Sequence, residues 1–183
     1  MPTYQIDPAH SRVGFVTRHM TVSLIRGHFR EYKGTVTTPN DDIGSAQVDL
    51  VIQAASVESG IEARDNHLRG DDYFAVEKYP ELRFKSTSIE PAGGGRYRVA
   101  GDLTIRDVTK PVTLEAELGG PVQDPFGNTR AGITLVGAIS RKEFGLTANP
   151  TIEGGGPVIA DEVRLEVEAE FTKVKEEAEA SVS

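Results

Sequence analysis

Along most of this chain hydrophobic positions alternate with polar ones. In RVGFV, Val13 and Phe15 fall on one face, and in QVDLVIQA so do Val48, Leu50 and Ile52. The pattern returns at Leu82 and Phe84, at Tyr97, Val99, Leu103 and Ile105, and at Val112, Leu114 and Ala116. It recurs at Ile133, Leu135 and Ile139, and last from Val163 through Leu165, Val167 and Ala169 to Phe171. A period of two with one apolar face predicts half-buried antiparallel strands. Between the runs lies turn chemistry: PNDDIG, PAGGG, RDVTKP, GGPVQDPFGN and EGGGP. The pattern predicts about eight strands with short, hairpin-like connectors, an all-β barrel or sandwich.

One interval breaks the rhythm. From Ser59 to Phe74 alternation stops, and Ser59-x-x-Glu62 has the form of a capping box that opens a helix. On that helix Ile61, Arg64 and Leu68 share a face, Asp65 and Arg69 are spaced for an i,i+4 pair, and Gly70 is a stop. The aromatic pair Tyr73-Phe74 that follows is expected to bury. After Phe171 the segment KVKEEAEASVS has no apolar period, so residues 1–172 form the domain and 173–183 a solvated acidic tail.

Closing about eight strands into a barrel removes the long edges and turns the apolar face toward a lumen. Such a lumen is either filled by side chains or holds one small ligand. The inward positions mix large residues with Gly101 and Gly137, and the chain has no Trp and only 7% aromatic residues. That leans toward a cavity. An apolar cavity suits an apolar ligand, each buried methylene contributing about 0.8 kcal/mol.

Composition narrows the function classes. At 183 residues the chain is most simply one domain with a substantial core. A net charge of −8 argues against a nucleic-acid surface and gives no reason for docking on anionic membranes. Cysteine is absent, which excludes disulfides, thiolate ligands and cysteine nucleophiles. No segment has the length of a membrane-spanning helix, and the start MPTYQIDPAHSRVGF has neither a basic nor an apolar leader region. The expected compartment is the cytoplasm, or the periplasm if a leader has been removed.

A set of motifs carries a resemblance. Y-x-I-D-P-A-H-S at 4 to 11, His19 and G-H-F at 27 to 29 come first; S-x-x-x-G at 56 to 60, R-D-x-H-L at 64 to 68 and D-Y-F at 72 to 74 follow. Y-P-E-L-R-F-K-S at 79 to 86, G-D-L-T-I at 101 to 105, V-T-K-P-V at 108 to 112, R-x-x-F-G-L at 141 to 146 and D-E-V-R-L at 161 to 165 continue in order. Across residues 3–172 the chain resembles the YceI-like family of bacterial polyisoprenoid-binding proteins. The resemblance implies an extended, lipocalin-like antiparallel barrel with a helix near one end. It also implies a long tunnel for an isoprenoid chain, such as a polyprenyl phosphate or a quinone tail, and a homodimer. Two features depart from the family: the missing leader, and Asp107 in the turn at 106 to 109, where glycine is usual. Asp tolerates a left-handed conformation, so the second change is expected to be mild.

Other candidate chemistry is weaker. His10, His19 and His28 show no compact metal-binding spacing, and no metal or other cofactor is expected. His10 is expected to bond backbone in a turn, with His19 and His28 near the barrel ends. Asp65 and Arg69 are expected to pair, while Arg64 and Asp71 tie the helix to its neighbours. The functional alternative puts Arg64 or His67 at the tunnel mouth, facing a phosphate or quinone oxygen. Ser11, Ser56 and Ser86 lack a nucleophile-elbow context. The glycines at 93 to 95 and 154 to 156 precede strands, which suits loops and not phosphate cradles. Arg141, Lys142 and Phe144 predict a bend in a strand.

The combined reading is a single-domain, eight-stranded, lipocalin-like antiparallel β-barrel with a short helix inserted near 59–70. It binds a long-chain amphiphile, a polyisoprenoid or quinone-like lipid, for transport, storage or protection, with no catalytic residues. The expected lining is Val13, Phe15, Phe84, Leu103, Ile105, Leu114, Ile133, Leu135, Leu165 and Val167; the expected head-group contacts are His19, Arg64 and His67. Two alternatives stand beside it: an enzyme acting on a hydrophobic small molecule through His67 and an adjacent carboxylate, and an interaction module with a solid barrel. On the tunnel reading, Leu103→Trp or Ile133→Trp blocks lipid uptake while leaving the circular dichroism spectrum intact. Undiminished lipid binding in either folded variant counts against a tunnel.

Overall fold

A strand at the end of a sheet leaves a row of backbone N–H and C=O groups unpaired, and this chain removes most such edges by closing the sheet. In the computed structural model, which describes residues 2–149 and 158–176, the strands are β1 (Thr3–Ile6), β2 (Arg12–His19), β3 (Ser23–Phe29), β4 (Tyr32–Thr37), β5 (Gln47–Gln53) and β6 (Val57–Glu58). Helix α1 (Glu62–Arg69) follows, then β7 (Glu81–Gly93), β8 (Arg96–Ile105), β9 (Val108–Gln123), β10 (Thr129–Ser140) and β11 (Ile159–Lys173). Neighbours run β1-β4-β5-β7-β8-β9-β10-β11, and β11 returns to β1 through Ile6 opposite Phe171 and Tyr4 opposite Lys173. Every pairing in this closed eight-stranded barrel is antiparallel.

The remaining strands extend one wall. β11 is long enough to hold β1 at its C-terminal end and β2 along the rest, with Leu165 opposite Phe15. β2 forms a hairpin with β3, which pairs briefly with β6. Between β1 and β2 the chain leaves the sheet at Pro8, which has no N–H to give the ladder; Asp7 caps the turn by accepting from the Ala9 N–H at 3.0 Å. Strands β3 and β4 part at Arg30-Glu31, where the Glu31 N–H donates to the Ser56 hydroxyl at 3.0 Å.

Alternation decides what faces inward. On β8, Val99, Gly101, Leu103 and Ile105 are buried while Arg96, Arg98 and Asp102 are exposed. Each strand thus contributes every second side chain to one continuous core.

The helix lies at one end, called the upper end below, and is fastened differently from the expected way. Its N-cap is Ile61, so Ser59 stands outside the cap and the capping box does not form. Asp65 turns back and accepts from the Ser59 N–H at 2.8 Å and from its hydroxyl, while Arg64 donates to the Ser59 hydroxyl at 2.7 Å and carbonyl at 2.6 Å. The Asp65–Arg69 pair is also replaced. Arg69 donates to the carbonyls of Ala55 and Val57 at 2.8 and 2.9 Å and to Asn66 at 3.1 Å. A two-turn helix beside the short β6 leaves carbonyls in need of donors, and these outcompete an ion pair within the helix. Gly70 does end the helix, and Tyr73 is buried after it.

Other expectations also change. In the β8–β9 turn the left-handed residue is Arg106, at φ 57°, not Asp107. The guanidinium of Arg106 lies over the Tyr79 ring, 5.6 Å from its centroid, which gives this residue a hold. Arg141–Phe144 is a 3₁₀ turn after β10, closed by Gly145 at φ 78°. β11 runs on through Lys173, one residue past the expected end of the domain. The glycines at 154 to 156 and the tail from 177 onward lie outside the described residues.

At the lower end Arg130 fastens three segments. It donates to Asp124 at 2.8 Å, Asp7 at 3.0 Å and Glu170 at 2.7 Å. Bonds from His10 and then Arg130 hold the Asp7 carboxyl below its ordinary value, and Arg130 holds Asp124 well below it. The Ser140 hydroxyl lowers Asp161. In each case the unfolded chain takes up protons more readily than the folded one. The stabilisation is therefore present above the unfolded value near 3.8 and is lost as pH falls through the lowered values. His10, raised by Asp7, has the opposite sign: its contribution is present below 6.5 and is lost as pH rises through the raised value. Urea-unfolding midpoints are expected to drop below pH 3.8, and Arg130→Met, which removes the shared donor, is expected to flatten that drop. An unchanged acid slope in the variant would dissociate the cluster from acid stability.

Candidate functional site

Because each strand points alternate side chains inward, the question for the lumen is how much of it they fill. In the upper part they leave a cavity of about 560 Å³, walled by the sheet and bordered by α1. Cross-strand glycines keep it open. The ring of Phe15 lies over Gly27, the ring of Phe84 over Gly101, and Leu114 over Gly137. A Cβ on Gly101 would stand 2.5 Å from the Phe84 ring and 2.6 Å from the Lys85 carbonyl, so only glycine lets that ring lie flat on the wall. Under the helix, Phe15, Phe29 and Phe74 continue as a row, with ring centroids 5.8 and 5.6 Å apart.

Of the expected lining residues, all but Ile133 face this cavity. Ile133 lines a separate cavity at the lower end, so Ile133→Trp is not expected to obstruct the upper one. Two residues along β10, Leu135 faces the upper cavity opposite Val167, whereas Ile133 sits opposite Ala169 in the next layer down. Alternation gives the face a residue points to but not its depth in the barrel, and depth is what separates these two.

His19, Arg64 and His67 all reach the upper cavity. His19 ends β2, and Arg64 is oriented by its bonds to Ser59. The Nε2 atom of His67 is 2.9 Å from the Asp72 carboxylate, and its ring meets Tyr73 edge-on at 5.0 Å. Burial pushes the Tyr73 phenol up from its ordinary value. A fourth cationic or imidazole group was not anticipated in this role: Arg141 also lines the cavity and is only 3% exposed. Its guanidinium donates to the carbonyls of Ala160, Ile159, Leu146 and Ala148. The signal lay in the parity of the strand, since Ile139 faces inward and Arg141 is two positions on. Neither Arg64 nor Arg141 forms a direct ion pair among the described residues, although the Asp65 carboxylate meets the same Ser59 hydroxyl as Arg64 and Arg141 helps to lower Asp161.

Two histidines lie elsewhere. His10 bonds the Asp7 carboxylate at 2.9 Å instead of backbone, and His28 stands 3.5 Å from Glu58. Asp7, His10 and Glu170 bring possible ligand atoms within 4.8 Å of one another, but Arg130 donates to both of those carboxylates and competes with any cation there.

Comparison with known proteins agrees with this architecture. A YceI-like domain model matches residues 4–171. A UPF0312 protein of Photorhabdus laumondii is 40% identical over 148 residues, covering 80% of this chain and 77% of its own. One from Staphylococcus aureus is 31% identical over 173 residues, covering 94% and 98%. Among solved structures, Burkholderia cenocepacia BcnA superposes with a TM-score of 0.77 at 25% identity over 90% of this chain and 98% of its own. A polyisoprenoid-binding domain from Saccharophagus degradans shares the fold, with a TM-score of 0.68 at 19% identity over 93% and 98%.

The glycine contacts make a direct prediction. Gly101→Ala is expected to tilt the Phe84 ring into the lumen and to lower stability by about 1–3 kcal/mol, as other overpacked cores do. Urea unfolding checks the stability, and the ring shifts of Phe84 in NMR spectra check the displacement. An unshifted ring at full stability would show that the glycine is not what keeps the wall thin.

Proposed function

The chain belongs to the YceI-like domain family, and from that footing we propose that it binds an amphiphile with a long apolar tail, most specifically a polyisoprenoid. The observation that carries the proposal is the upper cavity itself: about 560 Å³, apolar along its length, with cationic and imidazole side chains at one end only. Small-molecule sites run from about 300 to 1,000 Å³ and combine an apolar wall with a few convergent polar groups. The tail is held by burial, each methylene contributing about 0.8 kcal/mol, so many carbons need few directed contacts. The head is oriented by Arg64, His67 and His19, which suit a phosphate or a quinone oxygen. Arg141, whose donors are spent on carbonyls, supplies charge and a rigid rim. The Saccharophagus degradans domain, described as polyisoprenoid-binding, supports the same ligand class here.

One observation favours a second reading. The His67–Asp72 contact at 2.9 Å is the kind of pair that orients an imidazole for proton transfer. Both side chains are more than half exposed, at 51% and 64%, where the helix borders the cavity. Such a pair is solvated and less suited to chemistry inside a dry chamber, so binding is the reading we carry forward.

The test is native mass spectrometry of gently purified protein, followed by solvent extraction of what is released. A stoichiometric polyprenyl or quinone species is expected, and Leu103→Trp, which fills the upper cavity, is expected to lose it while staying folded. Protein that carries no such lipid and takes up none when it is added would overturn the proposal. A bell-shaped rate profile abolished by His67→Ala, on any hydrophobic substrate, would favour the enzyme instead.

A further inference from the structure

Below the upper cavity the lumen opens again. A second cavity of about 380 Å³ lies at the lower end among Val36, Val48, Ile89, Val99, Ala116 and Ile133. Its lining shares no residue with that of the upper one. On β5 Leu50 faces the upper cavity and Val48 the lower, on β9 Leu114 and Ala116 divide in the same way, and on β10 so do Leu135 and Ile133. Successive inward positions are about 7 Å apart along a strand, so the pleat itself sets the division.

The lower cavity has its own charge pattern. Among the described residues its lining contains no carboxylate, and its one charged side chain is Lys173, the last residue of β11. Tyr4 of β1 is the direct cross-strand partner of Lys173, and both line the cavity. Directly opposed side chains of an antiparallel pair start about 5 Å apart, so an ammonium and a phenol stand side by side at the rim. Neither side chain makes a hydrogen bond or an ion pair among the described residues. Both residues are half-buried, and neither polar tip is among the barrel's solvent-sealed, unpartnered atoms, so a guest can reach both. By contrast Arg130, one strand away, spends its charge on Asp7, Asp124 and Glu170. On β10 the lining runs inward from Thr129 to Ile133, about 14 Å of strand. A saturated chain of roughly eight to ten carbons spans that depth.

We infer that the lower cavity is a second binding site, for a medium-chain carboxylate. Lys173 and the Tyr4 hydroxyl donate to the carboxylate oxygens at the rim, and the apolar walls take the tail. One cation matches the single charge of this head, and no carboxylate in the lining repels it. An amphiphile with an ammonium head would instead meet Lys173 as a like charge. The isoprenoid proposed for the upper cavity has its head at the opposite end, so its tail offers Lys173 no acceptor. At about 380 Å³ the compartment falls within the size range of small-molecule sites.

The experiment is a methyl NMR titration of the full chain with sodium decanoate and, in parallel, uncharged 1-decanol. The lower compartment is read at Val48, Ile89, Val99 and Ile133, the upper at Leu103, Ile105 and Val167. Decanoate is expected to shift the lower methyls saturably, also in protein whose upper cavity already holds geranylgeraniol. Lys173→Gln is expected to weaken decanoate binding about three- to thirtyfold, as the loss of a charge-assisted hydrogen bond at a partly exposed rim does, and to leave 1-decanol binding unchanged. Tyr4→Phe is expected to weaken it about two- to fivefold. Lys173→Arg, which keeps the charge, is expected to bind decanoate like the parent, and the methyl spectra of the free variants check that each is folded. Decanoate shifts confined to the upper methyls, no decanoate binding at all, or undiminished affinity in Lys173→Gln or Tyr4→Phe would overturn the inference. So would a single equivalent of geranylgeraniol shifting both methyl sets, because the lower cavity would then be the far end of one tunnel. The upper methyls report on the lipid-binding proposal separately, so either site can fail without the other.

Discussion

Everything in this molecule depends on the closure of its sheet through β1 and β11. Backbone groups left unpaired along a strand edge must find partners, and β11 provides them for β1 at one end and for β2 along the rest. Once the barrel closes, alternate side chains have nowhere to go but inward. The lumen follows from closure, and its contents follow from the size of the side chains that face it.

That size is set by pairs of positions. Phe84 fills space on its own strand, yet it lies flat because Gly101 on the next strand offers no Cβ to push it away. Phe15 over Gly27 and Leu114 over Gly137 repeat the arrangement. Large residues thereby lie along the wall without plugging the channel. Close cross-strand contacts fill the wall while a chamber survives at its centre.

The polar end is built on the same economy of local bonds. Arg64 and Arg69 spend their donors on carbonyls and a hydroxyl of the segment 55–59, and Arg141 does the same for the turn after β10 and the start of β11. Their guanidinium groups are fixed in place by neutral acceptors and not by direct ion pairs. A helix of two turns would be marginal alone; these side chains and the phenylalanine row beneath make it part of the barrel.

The period of two along the chain determined by itself that the protein is all-β, but the expected breaks RDVTKP and GGPVQDPFGN are largely strand, because β9 runs from Val108 through Gln123. The interruption at 59–74 located the helix, and inward parity was enough to name most of the chamber's lining. The sequence motifs also carried the family. Tertiary structure alone decided what each charged residue bonds, because Ser59, Asp65 and Arg69 choose among partners that only the folded chain brings near. It alone decided depth: alternation tells Ile133 which way to face but not which cavity it meets, since depth depends on how strands are staggered around the barrel. The division of the lumen is a product of that stagger, and no local pattern in the sequence encodes it.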